Sequence, residues 1–346
     1  MISMDVDTLT QSGTMLAVVV AMAVGWGIVL EKTQKWIFER LPSTEWWPRA
    51  TKPTIQMMCN FGFPKVPNEQ FPNAVTEPMA RDFYAFLTTL CFQHFLSALP
   101  MLPVLISGWE DASEFSRCLF VLGTLSDVGF DVYDAIKSTL RTFTKHPQPL
   151  PLDFWIVIIA MHHTLALSLV LPMNQKYIHL AAYQQTVVSL LLAAAICYTA
   201  GNYKFTLDVS KPSGFYQYKL VVLTQLGTIL YTRVYLWYPA LYAVLSHLRN
   251  ENDTFFFYGG CFMGFVFSVF NLLLVADSVK AAAKWLPRAM PKNEKEAEEL
   301  PVHDGHGAAP SAAFELIAKM RRRRLKGAVL SVMAMNRMKK ISSKAQ

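Results

Sequence analysis

Long runs of apolar residues separated by short polar stretches dominate the chain. A helix needs about 20 mostly apolar residues to cross a bilayer core of ~30 Å. Seven segments meet or approach this length: Thr14–Leu30, Asp82–Ile106, Phe115–Ile136, Leu152–Met173, Tyr177–Ala200, Tyr218–Leu245 and Thr254–Val279. The third is the least apolar and the easiest to miss by hydropathy alone. Because each span must satisfy its own backbone hydrogen bonds in lipid, the pattern predicts an all-α, polytopic transmembrane helical bundle.

The basic residues between these segments predict the orientation of the bundle. The first thirteen residues hold no Lys or Arg, and loops two, four and six hold only Arg117, Lys176 and Arg249. Loops one, three and five and the C-terminal tail hold almost all the others. Since basic residues are retained on the cytosolic side, we expect seven spans, an outside or lumenal N-terminus and a cytosolic C-terminus. The first span lacks a basic leader and a cleavage site, so we expect it to be retained.

The same pattern divides the chain into five parts. We expect an N-terminal tail (1–13), a first span (14–30), a Pro- and aromatic-rich loop (31–81), a six-helix domain (82–285) and a linker with a basic tail (286–346). Trp46 and Trp47 predict that the loop is irregular and lies against the headgroups. The tail carries a basic cluster followed by apolar positions at helical spacing: Arg321, Arg322, Arg323, Arg324 and Lys326, then Val329, Val332 and Met333. Such a helix binds anionic headgroups or a protein partner, or it is a solvated tail that only enforces topology.

Composition supports the membrane assignment. Of the 346 residues, 53% are apolar and 16% are charged, against about 25% charged in an average soluble domain. The net charge of +7 follows the loops and the tail, so it indicates a membrane surface and argues against nucleic acid as a partner. The five cysteines are scattered and form no CxxC pair. They are expected to pack in the core, and we expect no cofactor and no metal site.

Ionisable residues inside the spans are the candidate chemistry, because burying them in lipid is costly. His162 and His163 lie about 15 Å into the fourth span, and Asp127 lies about 14 Å into the third, at ~1.5 Å per residue. Asp131 and Asp134 follow Asp127 on the same helix face. We therefore expect Asp127 to pair with a histidine. The pair is either a clasp that fixes helix register or a general base or nucleophile oriented by Asp127. A metal site is less favoured, because adjacent histidines point about 100° apart on a helix.

A second buried charge, Arg233, lies in the sixth span, where it can pair with an acidic group or a lipid phosphate. Pro239 follows six residues later and predicts a kink in that helix. Asn271 is a polar residue in the cytosolic half of the last span. Arg233 and Asn271 are therefore candidate lipid-binding residues.

Four short stretches carry a resemblance to a known family. These are Leu122–Asp127, His162–Leu167, Thr232–Val234 with Pro239, and Asn271–Leu274. Their order resembles that of TLC-domain proteins, which include ceramide synthases and the translocating-chain-associated membrane protein. The resemblance covers about residues 80–285. It implies a lipid-handling bundle, commonly in the endoplasmic reticulum, with a lumenal N-terminus. In ceramide synthases the matching histidines, here His162 and His163, serve N-acylation of a sphingoid base from acyl-CoA.

The stretch after the histidines departs from the ceramide synthase pattern. Those enzymes carry an Asn, then a His-Asp pair and a further Asp. Here Asn174 is present and becomes a third candidate lipid-binding residue, but no acid follows it up to residue 200. The leading hypothesis is thus a protein that binds, senses or helps distribute membrane lipid without synthase activity, in the endoplasmic reticulum or another organelle membrane. The alternatives are an N-acyltransferase that uses His162 or His163, and an accessory structural subunit of a larger membrane complex.

Overall fold

A computed structural model describes residues 5–64, 66, 74–146, 148–164, 166–291 and 296. Every regular element in these ranges is helical. A short helix, Val6–Thr10, precedes the longer elements. These are α1 (Ser12–Arg40), α2 (Trp47–Asn60), α3 (Glu77–Ser107), α4 (Glu114–Phe143), α5 (Leu152–Tyr177), α6 (Ala181–Thr206), α7 (Pro212–Asn250) and α8 (Thr254–Trp285). The basic tail at 321–326 and most of the predicted linker lie outside the described residues.

Six of the described helices are long and apolar enough to cross a membrane: α1, α3, α5, α6, α7 and α8. The prediction of an all-helical fold is confirmed, and these helices indicate a multi-pass integral membrane protein. The helices extend beyond the predicted spans, since α1 continues ten residues past Leu30 to Arg40. Tyr177 ends α5 instead of beginning the next helix, because a turn at residues 178–180 separates α5 from α6.

The helix α4 runs along α1 as far as Glu31, although it is not one of the six apolar helices. At one end of the bundle the Val6 amide donates a hydrogen bond to Glu114 Oε1 at 2.8 Å. Near the opposite end Lys137 Nζ lies 3.8 Å from Glu31 Oε1. Glu114 and Lys137 are separated by a helix length of ~35 Å at ~1.5 Å per residue. The two helices therefore lie parallel over a distance that matches a bilayer core.

Two glycines let α4 approach its neighbours closely. A Cβ atom on Gly129 would lie 2.5 Å from Met22 Cβ in α1, and one on Gly123 would lie 2.6 Å from the Ser97 carbonyl oxygen in α3. Small residues at such contacts are typical of helix packing in membranes. Because α1 and α3 cover two faces of α4, and α5 contacts it as well, polar side chains of α4 point into the protein.

The expectation of an irregular segment at residues 31–81 is wrong for residues 47–60, which form α2. Pro48 lies in the first helical turn, where its missing N–H group is not needed. Trp47, Ala50 and Met57 recur at helical spacing and are buried, so α2 packs its apolar face on the bundle. The Trp47 Nε1 donates a hydrogen bond to Glu77 Oε1 at 2.7 Å. This bond ties the start of α2 to the start of α3.

Candidate functional site

A buried histidine lies between two carboxylates at the contact of α4 and α5. His163 Nε2 lies 2.9 Å from Asp134 Oδ2, and His163 Nδ1 lies 2.6 Å from Asp131 Oδ1. The Asp131 contact is close, but the oxygen lies off the N–H direction. Asp134 also accepts a hydrogen bond from Ser138 Oγ at 3.1 Å. Each ring nitrogen of His163 thus faces an oxygen, which fixes the ring in place.

The predicted pairing of Asp127 with a histidine is wrong. Asp127 Oδ1 instead accepts a hydrogen bond from Gln93 Nε2 at 3.3 Å, and the same amide nitrogen donates to Ser97 Oγ at 3.1 Å. Ser97 continues to Ser126 at 3.0 Å, which links α3 to α4. Asp127 therefore belongs to a network of neutral polar groups next to the histidine cluster.

The error has a physical cause in the shape of α5. Residues Trp155–His163 form a π-helix, which advances less along its axis per residue than an α-helix does. Counting residues from the start of α5 at the regular α-helical rise therefore placed His163 too deep in the bundle. The ring meets Asp131 and Asp134, which lie one and two helical turns beyond Asp127 toward the C-terminus of α4.

A large cavity opens beside this cluster. It encloses about 1630 Å³ of unfilled space, its mouth included. Its walls combine aromatic and aliphatic side chains of the six helices α3 to α8, and its polar lining includes Asp127, Asp131, Asp134, His162, His163 and Arg233. The cavity therefore has an apolar body with a localised polar region, the combination that is typical of ligand sites.

The two adjacent histidines occupy different environments. The half-buried ring of His162 lines the cavity, with its centroid 5.3 Å from His163 and 5.4 Å from Phe267. Among the described residues we find no hydrogen-bond partner for His162, whereas both nitrogens of His163 face carboxylates. His162 is therefore the imidazole of the pair that is open to a ligand.

His94 is a cavity residue that the sequence analysis missed. Its Nδ1 lies 2.9 Å from the Leu90 carbonyl oxygen, and its ring contacts Phe130 and Tyr198 at 5.9 and 5.6 Å. It is an ionisable residue inside the apolar helix α3, the same signal that identified the other candidates. A complete survey of ionisable residues in the spans would have included it.

Two of the three candidate lipid-binding residues are in contact, and the third lies elsewhere. Arg233 is 7% exposed and lines the cavity, with Nη1 3.4 Å from Asn271 Oδ1. Asn271 thus supports Arg233 and is not one of the lining residues. Asn174 is fully buried elsewhere, where its Oδ1 accepts a hydrogen bond from Tyr183 at 2.7 Å. The structure therefore brings Arg233 and Asn271 together and leaves Asn174 apart.

Three π-helical segments carry or adjoin the site. Trp155–His163 holds both histidines, Ala166–Val170 follows it in α5, and Tyr231–Leu236 holds Arg233 in α7. The second and third segments lie just before Pro172 and Pro239, whose missing N–H groups interrupt the regular helical hydrogen bonds. Segments of this kind occur frequently at functional sites. They turn His163 and Arg233 away from the positions that regular α-helices would give them.

The site has no arrangement typical of a metal centre. Within the described residues, no group of three or more His, Cys, Asp or Glu side chains is placed to hold a metal ion. The carboxylates of Asp127, Asp131 and Asp134 instead receive hydrogen bonds or contacts from Gln93, Ser138 and His163.

Comparisons of the chain with protein-family models, curated proteins and solved structures give no match.

Proposed function

We propose that this chain is a TLC-like membrane protein that binds a membrane lipid in the cavity beside His162 and His163, in order to sense or help distribute it without synthase activity. We assign it to the endoplasmic reticulum or another organelle membrane, on the resemblance alone. The cavity carries this proposal. Its walls are apolar over most of their extent and its charged and polar side chains are confined to one region, the combination that suits an amphiphile with a hydrocarbon chain and a polar headgroup.

We further propose that α4 is a seventh span. It extends along α1 over the length of a bilayer core, and its carboxylates face the cavity and α5. With seven crossings, residues 108–113, 178–180 and 251–253 would lie at the same end of the bundle as the N-terminus. The basic residues flanking the spans at this end are Arg117, Lys176 and Arg249, and most other described basic residues lie toward the opposite end. This asymmetry supports an outside or lumenal N-terminus and a cytosolic C-terminus.

A cavity-filling substitution tests the lipid site. Leu191 is 5% exposed and lines the cavity, whereas Leu220 is 63% exposed on the outside of α7. Native mass spectrometry of the protein released from nanodiscs should show one lipid bound per chain, retained in Leu220→Trp and lost or reduced in Leu191→Trp. Equal lipid retention in the two variants, or a wild-type chain without lipid, would contradict the proposal.

A second candidate function is N-acyl transfer, which one observation favours. His162 faces the cavity without a polar partner among the described residues, next to a histidine held by two acids. Such a ring is able to act as a general base or nucleophile. Purified protein would be assayed with acyl-CoA and a sphingoid base. Turnover that is lost in His162→Ala and kept in the exposed-loop variant His146→Ala would replace the leading proposal with this one. No turnover over a broad panel of chain lengths would exclude it.

A further inference from the structure

Among the described residues, Arg233 is a buried cation without a matching anion. Its side chain lines the cavity and the residue is 7% exposed. Its hydrogen bonds go to neutral acceptors, from Nη1 to Asn271 Oδ1 at 3.4 Å and from Nη2 to the Leu190 carbonyl oxygen at 3.2 Å. Its Nε atom is buried and has no hydrogen-bond partner in the part of the chain that the structure describes. A guanidinium group has five N–H donors in a planar fork, so most of its bonding capacity is unused.

The carboxylates of the cavity do not neutralise this charge. No acidic oxygen of the described residues lies within 4.0 Å of the Arg233 guanidinium. The three acids of α4 in the lining are occupied: Asp131 and Asp134 by His163, and Asp127 by Gln93. The fourth acid of the lining, Asp277 of α8, makes no ion pair with Arg233. Arginine remains charged in such an environment, and a buried charge without a partner is unfavourable. An anion that enters the cavity would remove this penalty.

We propose that Arg233 is the headgroup subsite of the cavity, and that it binds the carboxylate or phosphate group of a single long-chain amphiphile. This assignment rests on the proposed lipid site and specifies the class of lipid. A carboxylate or phosphate fits the guanidinium fork through two parallel N–H···O hydrogen bonds. The apolar walls near Arg233, which include Ile229, Met263, Phe267 and Leu274, accommodate the hydrocarbon chain.

Ligands that share a chain and differ in headgroup test the subsite. Oleate, lysophosphatidate with an oleoyl chain and oleyl alcohol would be titrated into the purified full-length protein, with binding followed by displacement of a fluorescent fatty alcohol. We expect at least one of the two anionic amphiphiles to bind about 10-fold or more tightly than the alcohol. The preferred anion then distinguishes a carboxylate from a phosphate ligand. Acetate and inorganic phosphate serve as anions without a chain.

Variants of Arg233 separate a subsite from a structural role. Arg233→Gln should remove the preference for the anion and leave alcohol binding unchanged, and Arg233→Lys should keep part of the preference. The exposed-residue control, Arg249→Gln, should bind all ligands as the wild type does. Because the guanidinium is unpaired, Arg233→Gln without ligand should be at least as thermally stable as the wild type.

The contrary outcomes are distinguishable. If oleate and lysophosphatidate bind no more tightly than the alcohol, or bind Arg233→Gln as tightly as the wild type, the headgroup subsite is overturned. The proposed lipid cavity is not affected by that result. Displacement by acetate or phosphate alone would show a site for a soluble anion and would overturn the amphiphile assignment. Binding of none of the amphiphiles would overturn both this inference and the proposed function.

Discussion

Replacing Asp134 should destabilise the bundle much more than replacing Asp127. Asp134 Oδ2 lies 2.9 Å from His163 Nε2, and its Oδ1 accepts the Ser138 hydroxyl hydrogen bond at 3.1 Å. Asp134 and His163 are 4% and 3% exposed, and Asp134→Asn removes the negative charge from this buried pair while Asp131 still faces His163 Nδ1. The loss should therefore be about 1.5–3 kcal/mol, the range for hydrogen bonds to charged groups. Asp127→Asn keeps an oxygen that can accept the Gln93 bond, so the loss should be about 1 kcal/mol or less.

A double-mutant cycle measures this difference directly. The free energy of unfolding would be obtained by SDS titration in mixed micelles, with helix content followed by circular dichroism. The pair Asp134→Asn and His163→Gln should show a coupling energy of about 1 kcal/mol or more, since neighbours in one network are not additive. The matched pair Asp127→Asn and His163→Gln should couple by less than about 0.5 kcal/mol. Equal couplings, or a larger one for Asp127, would refute the geometry described for this cluster.

Three further predictions concern other parts of the bundle. Gly129→Ala should lower the free energy of unfolding in detergent by about 1–3 kcal/mol, because the added Cβ would overlap α1. The control Gly25→Ala, whose Cβ would meet nothing within 4 Å, should be neutral or stabilising. A larger loss in Gly25→Ala than in Gly129→Ala would contradict the α1–α4 contact. Hydrogen bonds from Lys176 and Tyr177 hold the pKa of Asp253 below its usual value. Asp253→Asn should therefore be less stable than the wild type above about pH 4, with the difference disappearing as pH falls through the lower folded pKa, and a pH-independent difference in melting temperature would contradict this. Trp47→Phe removes a hydrogen bond to a carboxylate and should lose about 1.5–3 kcal/mol; unchanged stability would show that α2 is not held to α3 there.

The helical bundle could be predicted because its signal is local. A run of apolar residues long enough to cross a bilayer identifies a span in each of the six apolar helices. The same criterion predicted a span at Phe115–Ile136, within α4, although the charged residues of α4 exclude it from the six apolar helices. The helix at 47–60 was missed, because Pro48, Pro53 and the tryptophans suggested a loop. Its buried residues Trp47, Ala50 and Met57 do recur at helical spacing, so the sequence held a signal that the prolines outweighed.

The site could be predicted only in part. The cost of ionisable groups in lipid identified Asp127, His162, His163 and Arg233, and all four line the cavity. The partners of His163 could not be predicted, because they depend on the π-helical turns of α5, and regular spacing placed the wrong acid opposite the ring. The shape of the cavity and the lack of an acidic partner for Arg233 among the described residues depend on the packing of six helices. Neither is encoded in any single segment.

Photo-crosslinking is the most direct test of whether the cavity beside His162 and Arg233 holds a membrane lipid. The protein would be expressed in cells fed a fatty acid that carries a diazirine in its chain, irradiated, purified and digested, and the labelled peptides would be mapped by mass spectrometry. We expect labels on cavity residues such as Phe267 and Leu191, reduced in Leu191→Trp. Labels confined to residues on the outside of the bundle, such as Leu220 and Phe262, which are 63% and 60% exposed, would contradict this expectation.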